Sequence, residues 1–374
     1  MKSILFLIYI LHLSFSFYHL PKIHHSPFLH MNSKRDSDYT FSKEYYEFYQ
    51  TYKKPSGLLR SNFVNYKQFA QTKINNYNIF TKNYQLINKA NLLLQQNNNS
   101  FSIGLNYYSD EIDMDSSLPS DLNENIDEIN SNNPMDFSTY FKFLKDPYQY
   151  IQNSVFNKKF SWNDTDYLSP VKNQGQCGSC WAVSTTTVLE TFMRIHNSSI
   201  DRLSEQQLVD CSSENHGCQG GLMHTALEFI IDNKGLVTNS QYTYKATDQT
   251  CLLHARETPN VIGSNITDYQ FVISKSVPDF KNSVIQSPIC IAVDANNVFF
   301  RFYKEGIIDL PTNYSKTINH AVTLVGFDHD EKGMFWIIQN SWGTQWGENG
   351  FCKIRTTPGE GVLLCQKYGV FPVL

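Results

Sequence analysis

The stretch Gln174-Gly175-Gln176-Cys177-Gly178-Ser179-Cys180-Trp181-Ala182 decides how the rest of the chain is interpreted. Two of its cysteines lie three positions apart, and an apolar helical pattern begins at Cys180. A cysteine at a helix N-terminus lies at the positive end of the backbone dipole, which favours the nucleophilic thiolate over the thiol. Most cysteines of exported proteins are paired, so a purely structural Cys180 is the alternative.

The composition is that of a globular protein. Of the 374 residues, 41% are hydrophobic and 18% are charged, and the net charge is −4. This length allows two or three domains with substantial cores. The sequence has no basic patch, which argues against a nucleic-acid-binding protein. All eight cysteines lie at or after Cys177, so the chain has two dissimilar parts.

Residues 1–16 have the pattern of a secretory signal peptide. Lys2 supplies a positive charge, an apolar run follows from Ile4 to Leu13, and Ser14-Phe15-Ser16 forms a small-x-small cleavage site. A membrane helix would need a longer apolar run. We therefore expect export into the secretory pathway, where disulfides form. Five N-x-Ser/Thr sequons fit such a protein: Asn98, Asn163, Asn197, Asn265 and Asn313.

The order of the predicted elements indicates the fold class. Helical periodicity runs from Phe41 to about Asn91, and the acidic, Asn/Ser-rich residues 111–135 predict a loose linker. Ser204 and Gln207 form a predicted capping box. Helices followed by strands predict an α+β fold with two subdomains. The predicted helices of the second part are 180–196, 203–208 and 223–231, and its predicted strands are 289–293, 321–327, 335–339, 351–354 and 369–374.

A nucleophilic Cys180 needs a base, and His320 is the candidate among eleven histidines. A lone histidine at the start of an apolar strand is more often a satisfied core residue. However, Asn340 ends the next predicted strand and could lie beside His320. Its amide oxygen would hold one ring nitrogen and direct the other toward sulfur. Trp342 would shield that hydrogen bond from water.

Taken in order, several segments resemble the papain family of cysteine proteases, of the cathepsin L-like kind. His320 and Asn340 follow Cys180 by 140 and 160 positions. The segments of the second part that carry the resemblance are 170–181, 203–211, 217–221, 319–321 and 340–347. Upstream, Phe80, Asn83, Ile87 and Asn91 resemble the second half of the ERFNIN propeptide motif, whose Glu and Arg positions fall on Thr72 and Asn76. Gly104, Asn106, Tyr108 and Asp110 resemble the GNFD motif, with Tyr for Phe.

The resemblance implies a papain-like fold with a helical left subdomain and a β-barrel-like right subdomain, preceded by a helical inhibitory propeptide. It implies a signal peptide (1–16), a propeptide (17–157) with an inhibitor region (about 41–110) and an acidic linker (about 111–157), and a catalytic domain (158–374). We expect the mature N-terminus between Val155 and Phe160. We also expect a monomeric zymogen without metal or cofactor, acting on proteins and peptides in a lysosome or vacuole or after secretion.

The resemblance assigns roles to individual residues. Cys180 is the nucleophile, His320 the base and Asn340 its orienting partner, and Gln174 forms the oxyanion hole with the backbone N–H of Cys180. Gly221 pairs with the substrate backbone, and an apolar pocket prefers Leu, Val or Phe at P2. Tyr368 forms the base of that pocket and shortens it. The other expected binding residues are Gly220, Leu222, Met223, Ala292, Ile318, Ala321 and Trp342.

The resemblance also pairs Cys177 with Cys218 and Cys211 with Cys251. Residues 306–319 contain no cysteine, so the family's third disulfide lacks its usual first partner. We expect a Cys352–Cys365 bond instead, with Cys290 free. The chain has neither a cathepsin B-like His-bearing insertion between Cys218 and Cys251 nor a cathepsin H-like propeptide cysteine, which favours an endopeptidase.

Three other functions compete with a protease. A disulfide oxidoreductase using Cys177 and Cys180 would need a preceding βαβ context, which the sequence lacks. A zinc site from Cys177, Cys180, Cys211 and Cys218 has poor ligand spacing. A binding protein on an inactive protease fold is disfavoured because every catalytic position carries a competent residue.

Overall fold

The computed structural model describes residues 43–53, 66–96, 101–111, 159–196, 200–252 and 266–374. The chain divides into two compact units, residues 1–61 and 62–374. In the first, helix α1 (Lys43–Phe48) continues into one π-helical turn (Tyr49–Lys53). The expected signal peptide, and the expected linker beyond residue 111, lie outside the described residues.

Helix α2 (Tyr66–Gln96) belongs to the second unit, and its two motif asparagines hold the segment that follows it. Asn83 Nδ2 donates to the backbone oxygen of Ser109 at 3.1 Å. Asn91 Nδ2 donates to the oxygen of Ile103 at 2.8 Å, and its Oδ1 accepts from the same residue's N–H at 3.3 Å. The ERFNIN-like face therefore joins the helix to residues 101–111.

Helix α3 (Cys180–Ile195) is the central helix of the second part, and its residues Cys180 to Met193 are all buried. Ser184 of this helix donates to the backbone oxygen of Val322 at 2.9 Å, which ties α3 to the sheet. Two shorter helices, α4 (Glu205–Cys211) and α5 (Met223–Asp232), complete the helical part around it.

Half of the predicted capping box at α4 is confirmed. Ser204 is the N-cap, and its Oγ accepts from the N–H of Gln207 at 3.0 Å. The other half is wrong, because the Gln207 side chain accepts from the N–H of Val237 at 2.8 Å. The N–H of Ser204 donates to the oxygen of Val237 at 3.0 Å, so a distant segment replaces the local partner.

Nine strands form one sheet in the described part of the chain, in the order β1-β5-β8-β7-β6-β4-β9-β3, with β2 pairing to β6. All pairs are antiparallel except β5 with β8. The strands are β1 (Phe101–Ile103), β2 (Phe160–Ser161), β3 (Asp268–Phe271), β4 (Ile289–Val293), β5 (Tyr303–Ile308), β6 (His320–Asp330), β7 (Gly333–Gln339), β8 (Phe351–Arg355) and β9 (Gly369–Val373).

The core divides into two apolar clusters, which agrees with the predicted α+β fold of two subdomains. One cluster centres on α3, with Trp181, Leu189 and Met223 fully buried. The other lies on the sheet and contains Trp336 and Phe327. Burial of apolar surface on this scale is the main stabilising contribution to such a fold. The site described below lies where α3 meets β6.

Some elements were not predicted. Helices α6 (Val277–Gln286) and α7 (Val298–Arg301) occupy a region expected to contain only strands, and β3 and β5 were missed. Among the described residues, no helix is both long and apolar enough to cross a membrane. Two sequons, Asn163 and Asn313, lie exposed in short 3₁₀ turns, and the other three lie outside the described residues.

Candidate active site

Cys180 is the first residue of α3, so its thiol lies at the N-terminus of that helix. Its side chain is buried, and Sγ accepts from the backbone N–H of Ala321 at 3.3 Å. Ala321 is the second residue of β6. The contact therefore brings the thiol of the helical part directly beside the strand that carries His320.

His320, Asn340 and Trp342 form one group at the end of the sheet. β6 pairs with β7 so that Thr323 faces Gln339, and this register brings the start of β6 beside the residue after β7. His320 Nε2 lies 2.7 Å from Asn340 Oδ1. The N–H of Ser341 donates to the same Oδ1 at 2.8 Å, which fixes the orientation of the amide. The Trp342 ring covers His320 with ring centroids 4.8 Å apart.

Gln174 lies on the loop before Cys180 and is held on three sides. Its N–H donates to the oxygen of Ser341 at 2.9 Å, and its side-chain Oε1 accepts from Ser341 Oγ at 2.5 Å. Its Nε2 donates one hydrogen to the oxygen of Cys177 at 3.0 Å. An amide nitrogen has two hydrogens, so a second donor remains on Nε2. The glutamine predicted for the oxyanion hole is thus held in one orientation by Ser341 and Cys177.

Two of the expected binding residues, Gly220 and Gly221, are buried glycines next to the α3 helix. Gly220 has φ 120°, a backbone conformation that other residues rarely adopt. A Cβ on Gly221 would lie 2.5 Å from Asn215 Oδ1 and 2.7 Å from the ring of Trp181. No side chain fits there without displacing its neighbours, so close packing against Asn215 and Trp181 requires glycine at this position.

The residues expected to line the P2 pocket belong to one cluster. Met223, Ala292, Ile318, Ala321 and Tyr368 are all buried in the helical cluster, and Leu222 packs against it. Ala292 and Ala321 face each other across β4 and β6, so both positions of this pair carry small side chains.

Tyr368 is fully buried, and its hydroxyl is fixed by His224 of α5. The hydroxyl lies 3.0 Å from His224 Nδ1. Burial lowers the pKa of His224, an effect that the charge of Glu228 partly opposes. Burial also raises the pKa of Tyr368. The neutral imidazole therefore accepts a hydrogen bond from the phenol, which holds the ring in place.

Two disulfides have the pairing that the family resemblance implies. Cys177 is bonded to Cys218, with 4.6 Å between Cα atoms, and Cys211 is bonded to Cys251, with 4.9 Å. These bonds use three of the four cysteines of the alternative zinc site. They also remove Cys177 as a redox partner of Cys180.

The expected Cys352–Cys365 disulfide is wrong for this structure. Both residues are buried in the sheet cluster as free thiols. Apolar packing already accounts for their burial without a bond between them. Cys290 of β4 is also a free, buried thiol, as expected, but it lies in the helical cluster. Burial raises the pKa of Cys290 and of Cys365 to about 12, and it raises the pKa of Cys352 well above its usual range.

The segment that resembles the GNFD motif touches the candidate site. Tyr108 packs on Trp342 with ring centroids 5.4 Å apart, and its hydroxyl lies 3.4 Å from Asn173 Oδ1. Asn106 Nδ2 donates to the oxygen of Arg301 at 2.8 Å. β1 of the same segment pairs with β5. This segment therefore covers the indole that covers His320.

Sequence reasoning missed three contributors to the site. Ser341 orients Gln174, yet it lay unremarked inside the quoted 340–347 segment. His224 fixes Tyr368 from 144 positions away. Tyr244 bonds the loop before Cys180, again through a contact between distant positions. Only Ser341 could have been identified from the sequence, because it lies between Asn340 and Trp342.

Comparison with known proteins gives a consistent result. Residues 156–366 match the family described as "Papain family cysteine protease". Zingipain-2 of Zingiber officinale is 39% identical over 51% of this chain and 84% of its own, and cathepsin L of Sarcophaga peregrina is 34% identical over 78% and 84%. The digestive procathepsin L2 structure from Tenebrio molitor larval midgut covers 88% of this chain and 99% of its own, at 26% identity and a TM-score of 0.71.

Proposed function

The chain belongs to the papain family of cysteine proteases, and on that premise we propose that it is the zymogen of an endopeptidase with a Cys180–His320–Asn340 site. Gln174 and the N–H of Cys180 serve as its oxyanion hole. The fold is the papain-like α+β fold of its structural relatives, which include proforms.

One observation carries this proposal. The His320–Asn340 hydrogen bond of 2.7 Å lies beside a thiol that contacts the residue after His320 at 3.3 Å. Because Asn340 holds Nε2, Nδ1 is the ring nitrogen that exchanges a proton with sulfur. A nucleophile, a base and a group that orients the base are the three parts that covalent catalysis requires.

The reaction follows from these positions. The proton of the Cys180 thiol moves to His320, and sulfur attacks the peptide carbonyl carbon. The oxyanion that forms accepts from Gln174 Nε2 and the Cys180 N–H, a contribution of about 3–4 kcal/mol per donor in comparable enzymes. The C–N bond then breaks as His320 protonates the leaving amine. Water attacks the thioester, releases the acid and restores the thiol.

The function is tested by trapping the thiol. An epoxide that reacts only with activated thiolates is expected to label Cys180 in the enzyme processed from the full chain and to stop peptide hydrolysis. Cys290, Cys352 and Cys365 are the internal control, because burial raises the pKa of each of these thiols and so disfavours the thiolate that the epoxide needs. Peptide mapping by mass spectrometry reads all four. Hydrolysis that continues after stoichiometric labelling of Cys180 would contradict the proposal.

The proposed substrate preference is for an apolar P2 side chain of limited size. The residues proposed for the pocket are aliphatic or small except Tyr368, whose ring is held by His224 and would occupy the base. We therefore expect Val or Leu at P2 to be preferred over Phe.

Tyr368→Ala is expected to open the pocket. The ratio of kcat/KM for Phe over Leu at P2 should rise about tenfold or more, since one extra group in an apolar pocket is worth about 10- to 200-fold in discrimination. Matched peptides that differ only at P2 measure this, and kcat/KM for the Leu peptide serves as the control for folding. A wild-type enzyme that cleaves the Phe peptide as fast as the Leu peptide would contradict the shortened pocket.

The proposed propeptide, residues 17–157, acts as an intramolecular inhibitor. The contacts of Tyr108 with Trp342 and of β1 with β5 support this, as does the likeness to procathepsin structures. A signal peptide over residues 1–16 would deliver the zymogen to the secretory pathway, for action in a lysosome or vacuole or after secretion.

A further inference from the structure

Tyr244 contacts the loop before Cys180 at two places. Its hydroxyl donates to the backbone oxygen of Gln174 at 2.7 Å. The hydroxyl oxygen of Tyr244 also forms a short hydrogen bond with Ser179 Oγ. Gln174 carries one expected oxyanion donor, and Ser179 precedes the residue that carries the other. One phenol therefore bridges the two ends of the loop that supplies the oxyanion hole.

The direction of these hydrogen bonds is fixed by counting donors. A phenol has a single O–H, and the carbonyl of Gln174 can only accept it. The Ser179 hydroxyl must then be the donor to Tyr244. The chain Ser179 to Tyr244 to Gln174 thus runs in one direction, and such chains strengthen each member. Burial raises the pKa of Tyr244 to about 12, so the donor is protonated throughout the working range of pH.

The bond to Tyr244 also changes the helix end. Ser179 is the N-cap of α3, a position where serine usually accepts from a first-turn N–H. Here its side chain makes no capping hydrogen bond. The hydroxyl is committed to Tyr244 instead.

Tyr244 is itself held firmly. Its N–H donates to Asn239 Oδ1 at 3.1 Å, and the next residue, Lys245, donates its N–H to Gln206 Oε1 of α4 at 2.7 Å. A Cβ on Gly175 would lie only 3.2 Å from the Cβ of Ala246, so this loop packs directly on the loop before Cys180. These contacts fix the position of the Tyr244 segment against the loop before Cys180.

We infer that Tyr244 is a positioning residue for the oxyanion hole, setting the backbone of Gln174 relative to the N-terminus of α3. This inference rests on the proposed function. It concerns a residue that touches neither the substrate nor the reacting atoms.

Tyr244→Phe tests it, because the variant removes one hydroxyl and keeps the ring. In the activated enzyme from the full chain, kcat per titrated active site should fall about tenfold with KM nearly unchanged. The fall is smaller than the hundredfold or more that follows loss of an oxyanion donor itself. Tyr242→Phe is the matched control. It removes a hydroxyl that donates to Asp210 at 2.6 Å, and kcat per site should stay within twofold of wild type.

A second measurement separates positioning from a general loss of structure. In a Gln174→Ala background, Tyr244→Phe should cost little further activity, because the side-chain donor that Tyr244 positions is already absent. Additive losses in the double variant, or an unchanged kcat for Tyr244→Phe, would overturn the inference alone. A wild-type chain without Cys180-dependent hydrolysis would overturn the proposed function, and this inference with it.

Discussion

Cys180→Ala is expected to abolish peptide hydrolysis, with kcat lowered on the order of 10⁵-fold or more. Loss of the nucleophile has effects of this size in other covalent proteases. The reason is that His320 and Asn340 remain in place but have no sulfur to activate. Hydrolysis of a Leu-P2 peptide, normalised to folded protein by near-UV circular dichroism, measures the effect.

Cys365→Ala is the matched control for Cys180→Ala. Cys365 is also a buried free thiol, but it lies in the sheet cluster. Its loss should lower stability through the small cavity it leaves, while kcat per folded molecule stays unchanged. If the catalytic assignment were wrong, the two variants would retain similar activity.

Lys172→Met is expected to lower the free energy of unfolding by about 3–5 kcal/mol, the usual result of removing one partner from a buried ion pair. Lys172 Nζ lies 2.8 Å from Glu190 Oε1 and 2.7 Å from Glu205 Oε1, with side chains 2%, 0% and 1% exposed. The variant would leave two buried carboxylates without their shared cation. Urea unfolding monitored by tryptophan fluorescence gives the difference.

The loss of unfolding free energy in Lys172→Met is expected to depend on pH in one direction. Burial alone would raise the pKa of Glu205, but the charges of Lys172 and Arg202 and its hydrogen bonds lower it overall. In wild type, Glu205 therefore stabilises the fold above its unfolded-state pKa, and that contribution is lost as pH falls through the lower folded value. Without Lys172, burial dominates, so the deficit should shrink as pH falls. A deficit that grows in acid would contradict this account.

Lys353→Met is the control for the buried position. Lys353 pairs with Glu348 at the same distance, 2.7 Å, but the two side chains are 35% and 32% exposed. Exposed pairs contribute about 0.2–1 kcal/mol. A loss for Lys353→Met as large as that for Lys172→Met would show that burial is not the cause.

The sequence predicted best those elements whose own residues carry the signal. β4 was predicted with its observed ends because all five of its residues are apolar and buried. β5 was missed because Lys304, Glu305 and Gly306 interrupt any alternation. Helix α6 was missed although Ser276 caps it, since its ten residues lie in a region that otherwise resembled strands.

The site could be predicted only as far as its motifs reach. Cys180, His320, Asn340 and Gln174 were identified through segments that resemble a family, and the structure brings all four together. The hydrogen bond from Tyr244 to Gln174 depends on how two loops pack across 70 positions. Local patterns contain no information on such packing. The incorrect Cys352–Cys365 pairing has the same origin, because distances between buried thiols are set by the fold.

The pairing of β1 with β5 has a consequence for the life of the enzyme after maturation. In the sheet order, β1 is the outermost strand on that side and β5 lies directly inside it. Release of the proposed propeptide, residues 17–157, would leave the β5 backbone with unpaired N–H and C=O groups, and such an edge strand promotes aggregation. Lys304 and Glu305 are already exposed on this strand. The strand β5, which β1 covers in the zymogen, thus already has the charged residues that would protect the mature protein from aggregation at this edge.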